Sequence, residues 1–176
     1  MNPRAASGLL LLCLVVASAG EGGRESCRIT EVYDGDTVVV QCGWATEERV
    51  RLHCIDAPEL GQKPWGERAR DELAELLGGE FQSRQHGGKA YLQPRRALSV
   101  QMERIDTDNY GRTVAMLWRN GTNLNLKLVQ RGAVAVYSKY CQAAAFYDAE
   151  KAAKAARLGI WKGKGGQQRP WIWRHR

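Results

Sequence analysis

Apolar and polar residues alternate from Arg28 to Tyr33 (RITEVY), the period of a half-buried strand. Asp34-Gly35 follows as a hairpin-turn pair, and the β-branched run Thr37 to Val40 (TVVV) reads as the returning strand. Val50 to Ile55 (VRLHCI) is a third strand. In it Val50, Leu52 and Cys54 share one face, Arg51 and His53 the other. Pro58 ends this stretch, and the period then changes. Trp65, Ala69, Leu73, Leu76 and Leu77 recur at helical spacing with charges between them, until Gly78-Gly79 stops the helix. Residues 80–97 have no clear period and read as an inserted basic loop or hairpin. Leu98 to Ile105 and Thr113 to Trp118 return to strand character, and Asn120-Gly121 is a second hairpin signal. Leu124 to Arg131 is a short helix closed by Gly132, Ala133 to Tyr137 a last short strand. Phe146, Ala149, Ala153, Ala156 and Ile160 line one stripe of a C-terminal helix.

About five short strands, one helix after the third and two near the end, make an α+β chain. The architecture that suits them is a small five-stranded oligonucleotide-binding β-barrel with about three helices. This domain is expected over residues 27–161, between a flexible leader at 20–26 and a Gly-rich basic tail at 162–176 that carries Trp171 and Trp173.

The first nineteen residues read differently. Arg4, the apolar run Gly8 to Val16 and Ala17-Ser18-Ala19 have the layout of a secretory signal peptide cleaved after Ala19. The run is about half the ~20 apolar residues that a spanning helix needs, so no stable membrane insertion is expected once it is removed. The chain is then exported, as a secreted or periplasmic protein. Cleavage removes Cys13 and leaves Cys27, Cys42, Cys54 and Cys141, an even number in an exported chain, which suggests disulfides. Three pairings are open. Cys27 and Cys42 lie almost symmetrically about Asp34-Gly35, which makes a cross-hairpin bond sensible and leaves Cys54–Cys141; four free thiols are the alternative. No C-x-x-C pair supports zinc.

Composition narrows the partner. Apolar residues make up 44% and charged residues 26% of the chain, which argues against wholesale disorder. Lys and Arg number 26 against 19 Asp and Glu, a formal charge of +7. That surplus favours a polyanion, nucleic acid before an acidic membrane.

Three stretches carry candidate chemistry. Tyr33-Asp34-Gly35-Asp36-Thr37 puts two carboxylates at a tight turn, where side-chain and backbone oxygens can converge on a hard cation. In Arg51-Leu52-His53-Cys54-Ile55-Asp56-Ala57-Pro58-Glu59 an arginine that can grip phosphate precedes two acids. Asp56 can add a metal ligand, and Glu59 leaves the strand into a loop where it can reach water. In Asp106-Thr107-Asp108-Asn109-Tyr110-Gly111-Arg112 a glycine turn delivers a second guanidinium, suited to the equatorial oxygens of a phosphoryl group. Each stretch alone is also compatible with a solvated turn or a surface ion pair.

Together, D-G-D-T, R-L-x-x-I-D-A-P-E and D-x-Y-G-R, in this order, resemble the thermonuclease family, whose prototype is staphylococcal nuclease. The resemblance continues through Asn125 to Gly132, the pair Tyr137 and Tyr140, and Leu158-Gly159-Ile160-Trp161. It implies a calcium-dependent enzyme that cleaves DNA and RNA and leaves 3′-phosphate ends, with Ca2+ as cofactor. Asp36 and Asp56 match carboxylate ligands, and Ala57 a position whose backbone carbonyl binds the ion. Glu59 matches the proposed general base, Arg51 and Arg112 the phosphate-binding arginines. Tyr137 and Tyr140 fall near nucleotide-contacting tyrosines, and Tyr110 is a further stacking candidate. Stacking aromatics suit single strands, DNA or RNA, bound by a monomer. The chain departs from the family at Ala57 (Thr in the prototype), at Asn109 (Lys in the prototype), in the longer 80–97 connection and in the tail. The competing reading is a catalytically inert nucleic-acid-binding barrel.

Overall fold

The computed structural model describes residues 23–174; the expected signal peptide and the first part of the leader lie outside the described residues. Five strands close the barrel: β1 (Arg24–Val32), β2 (Thr37–Cys42), β3 (Glu48–Leu52), β7 (Leu98–Thr107) and β8 (Thr113–Arg119). Neighbours pair antiparallel except β3 and β8, which run parallel. That single parallel pair completes the ring and needs a long crossover. The crossover carries β4 (Ile55–Asp56), helix α1 (Trp65–Leu77) and the hairpin β5–β6 (Phe81–His86, Lys89–Pro94), besides β7 itself. After β8 come β9 (Thr122–Asn123), α2 (Leu124–Gln130), β10 (Ala135–Val136), α3 (Ala144–Ala155) and the short α4 (Pro170–Trp173).

Inward positions fill the barrel with Ile29, Val32, Val38, Val50, Leu52, Met102, Ala115 and Leu117, none more than 2% exposed. Each large side chain so buried contributes roughly 1.5–3 kcal/mol. The inward phase in β1 changes between Ile29 and Val32 because an irregularity near Thr30 breaks the pairing register with β2. Helix α1 covers one end of the barrel with Ala69, Leu73 and Leu77, while Leu128, Val129 and Phe146 of α2 and α3 extend the same core.

Several boundaries move from the sequence reading. Arg24 to Ser26, expected in the leader, belong to β1 and pair with Glu103, Met102 and Gln101. The segment is polar and without period, so only its partner strand orders it. The third strand breaks in two at Cys54, whose φ of 68° turns the chain before β4. The last strand shrinks to Ala135–Val136, paired with Ile55 and Asp56. Helix α3 stops at Ala155, and Ile160 reaches the core from a separate 3-10 turn, Gly159–Lys162. Residues 80–97 contain a hairpin turning at Gly87-Gly88, and the tail adds a fourth helix to the three expected. Both disulfides form: Cys27–Cys42 across directly paired positions of β1 and β2, and Cys54–Cys141 beside the break.

Candidate active site

The site starts at the β1–β2 turn. The backbone N–H of Asp36 donates to Asp34 Oδ1 at 3.0 Å, the closure of an Asx turn. Gly35 is required for space: a Cβ there would lie 2.6 Å from Ala69 Cβ and 2.9 Å from Ala57 Cβ. The turn is thereby pressed between α1 and the segment after β4. Asp36 is 4% exposed and Asp56 is fully buried. Asp36 accepts from Thr37 Oγ1 at 3.1 Å and from the N–H of Ala57. Pairing of Ala135 with Asp56 fixes the acid of β4.

Arg51 joins the two acids. Thr37 and Arg51 are register partners in β2 and β3, so the guanidinium projects from the strand beside the turn. Nη1 pairs with Asp36 and Nη2 with Asp56. Burial works to lower the Arg51 pKa and outweighs the opposing charges of Asp56 and Asp34. Burial also pushes the Asp34 carboxyl up, against the attraction of Arg51. Arginine begins so high on the scale that Arg51 stays a cation.

Glu59 follows Pro58 in a short loop clamped by Gln62, a buried residue that sequence reasoning passed over. The Glu59 N–H donates to Gln62 Oε1, and the Gln62 N–H donates back to the Glu59 carbonyl, both at 2.8 Å. Gly66, in the first turn of α1, makes the close approach possible, because a Cβ there would run into the Glu59 carbonyl. A glycine one residue into a predicted helix was the available signal.

Arg112 stands in a neighbouring open groove of about 580 Å³ lined by Tyr33, Glu48, Arg49, Tyr110 and Thr113, among others. Asp108 holds the loop: it accepts from the N–H groups of Tyr110 and Arg112 at 2.9 Å and from Arg112 Nε at 2.7 Å. The Asp108 pKa is lowered, burial being outweighed by these bonds from Arg112 and Tyr110. Arg112 pairs with Asp108, and its charge is felt at both Asp34 and Arg51. Tyr110 is 87% exposed, with Arg112 5.7 Å from its ring centre.

Tyr137 and Tyr140 form an edge-on pair with centroids 5.3 Å apart. The Tyr137 N–H donates to the Cys54 carbonyl at 2.9 Å, which ties this pair to the strand break below Asp56. The basic tail folds onto the same place. Trp171 stacks on Tyr137 at 5.7 Å, and Arg174 donates from Nη2 to both Asp56 oxygens at 2.7 Å and from Nη1 to Glu59 Oε1 at 2.8 Å. Burial works to lower the Arg174 pKa, yet Asp56 and then Glu59 hold it above its ordinary value. The structure therefore brings Asp36, Arg51, Asp56, Ala57 and Glu59 together, and adds Arg174 of the basic tail, bonded to acids where a phosphate contact was expected.

Asp36 and Asp56, which share the Arg51 guanidinium, are hard-oxygen donors of the kind that a divalent cation such as calcium takes. The Ala57 N–H bond to Asp36 fixes the backbone of this residue beside the two acids. A second acidic and sulfur-bearing group, Glu25 with Cys27 and Cys42, offers no thiolate because both cysteines are in a disulfide.

The sequence model described as "Staphylococcal nuclease homologue" matches residues 49–163. The chain belongs to this family. The match takes in Arg51, Asp56, Glu59, Arg112, Tyr137 and Tyr140, and stops short of α4 and Arg174. Family relatives agree over most of the chain. A micrococcal nuclease of Shigella flexneri is 34% identical over 180 positions, covering 96% of this chain and 89% of its own length. An uncharacterized endonuclease of Haemophilus influenzae is 29% identical over 152 residues, 86% of this chain and 75% of that one. Protein ParB of Escherichia coli is 32% identical over 182 positions, 97% and 89%.

Proposed function

We propose that the chain is a nuclease that hydrolyses phosphodiester bonds of DNA or RNA, with little sequence specificity and with calcium as cofactor. The observation that carries the reading is the buried pair Asp36 and Asp56 bridged by Arg51, with Glu59 clamped alongside. An inert binder has no need of two buried acids and a third beside them.

Asp36 and Asp56 would hold the cation, with the Ala57 carbonyl as a further ligand; when bound it supplies Lewis acidity and a template for the scissile phosphate. Glu59 takes a proton from water aligned for attack on phosphorus. Arg51 and Arg112 neutralise the charge that grows on the equatorial oxygens. The 5′-oxygen leaves, and 3′-phosphate ends result. Tyr110, Tyr137 and Tyr140 offer ring faces to bases, which favours single strands. The rest of the binding comes from backbone electrostatics and weakens with salt. Among the described residues no helix is long and apolar enough to cross a membrane, and two disulfides are compatible with export. We place the protein outside the cytoplasm, as a monomer.

The test is incubation of the purified chain with single-stranded DNA, in millimolar calcium and in excess chelator, beside Glu59→Gln. Cleavage that needs calcium and falls at least a hundredfold in Glu59→Gln is the expected result. Near wild-type cleavage by Glu59→Gln would sink the assigned base. Binding without cleavage in both conditions would leave the inert barrel.

A further inference from the structure

The C-terminal segment is anchored in steps onto the acidic site. Gln167 is buried, and its Nε2 donates to the Gly163 carbonyl at 3.0 Å and the Ile160 carbonyl at 3.4 Å. Pro170 is buried at the start of α4. One turn of that helix spaces Trp171 and Arg174 so that the indole stacks on Tyr137 while the guanidinium meets Asp56 and Glu59. Arg174 thus takes both oxygens of a fully buried carboxylate, 118 residues away in sequence.

We propose that residues 166–174 are a tethered competitor: Arg174 takes up Asp56, one of the two acids that would hold the cation, together with the neighbouring Glu59, Trp171 covers the Tyr137 ring, and a divalent cation with a nucleic-acid strand displaces both. This rests on the reading of Asp56 as a cation ligand and of Tyr137 as a base-stacking ring. The physical argument is exclusion. Arg174 Nη2 lies on both oxygens of Asp56, beside the Arg51 bond to Oδ1, so it adds a second guanidinium to the carboxylate edge that a metal would need, and cations at that range repel. The Tyr137 face stacked on Trp171 is likewise closed to a base. A segment joined to its site by a short linker acts at an effective concentration on the order of millimolar, so the cation must compete against a local excess of arginine. Oε1 of Glu59, bonded to Arg174, is engaged until the segment leaves.

Calorimetric titration of calcium into the purified full chain, without nucleic acid, separates the alternatives. Arg174→Ala is expected to bind calcium about tenfold more tightly than the wild type, the effect of removing a charge-assisted competitor. Arg174→Lys, which keeps the charge but not the two nitrogens that meet Asp56 and Glu59 separately, is expected to fall between. Amide hydrogen exchange supplies a second readout: calcium should speed exchange of residues 166–174 in the wild type and leave the barrel strands protected. Trp171→Ala should tighten binding of a phosphorothioate-protected oligothymidylate. Equal calcium affinity in wild type and Arg174→Ala, with residues 166–174 still protected at saturating calcium, would overturn the proposal. Absence of calcium binding in both proteins would remove the cation reading itself and the competitor with it.

Discussion

Single atoms decide whether the acids meet. Gly35 has an ordinary backbone conformation, and what it supplies is room: Ala69 and Ala57 close in on the missing Cβ. Gly35→Ala is expected to lower stability by about 1–3 kcal/mol, as overpacking does, and to loosen calcium binding by moving Asp36. Thermal unfolding and calcium titration of the same variant check both parts. Arg51 is a second such point, since its fork satisfies Asp36 and Asp56 at once. Lysine keeps the charge but reaches only one carboxylate, leaving the other short of a partner. Arg51→Lys is therefore expected to cost about 1.5–3 kcal/mol of stability and roughly a hundredfold or more in cleavage rate. Denaturant unfolding and single-turnover cleavage measure the two separately.

Elements are held by contacts that cross the barrel surface. Arg104 of β7 joins Glu48 of β3 and Glu25 of β1, and Thr113 of β8 donates to Glu48 as well. Hydrogen bonds from Arg104 keep the Glu48 carboxyl below its usual range, against the opposing effect of burial. A carboxyl whose folded pKa is depressed stabilises the fold above its unfolded value, about 4.3 for Glu, and that contribution is lost as pH falls through the lower folded value. Glu48→Gln is expected to be about 1 kcal/mol less stable at pH 7, modest because Arg104 is 45% exposed, with the gap closing below about pH 4. Urea unfolding of both proteins at several pH values tests the sign. The strands behind this network were legible because alternation and the Asp34-Gly35 and Asn120-Gly121 turns are local signals. The first three residues of β1, the break at Cys54 and the Gln62–Gly66 clamp were not. Each is settled by a partner far along the chain or by a close backbone approach. The candidate acids were marked by the motif set that carries the family resemblance, whereas Arg174 lay in a tail marked only by its basic composition and its tryptophans.

At the scale of the molecule, two disulfides brace one barrel unequally. Cys27–Cys42 staples two strands already paired, across 15 residues. Cys54–Cys141 spans 87 residues, which in the chain-entropy account makes it the more stabilising, by about 4–5 kcal/mol against about 3. Replacing Cys54 and Cys141 by Ala is expected to lower the melting temperature more than replacing Cys27 and Cys42, and scanning calorimetry compares them. Cleavage should fall further too, because the Cys54 carbonyl receives the Tyr137 N–H while Cys141 donates to the Tyr137 carbonyl.

That second bond has a consequence for a cell that makes such an enzyme. The turn that aims Asp56 and the turn that presents Tyr137 are welded by one covalent link, which forms only where thiols are oxidised. A chain still among glutathione and the producer's own chromosome would carry every acid and arginine of the site, yet lack the joint that sets them in place. Sulfur chemistry would then make completion of the site conditional on an oxidising compartment.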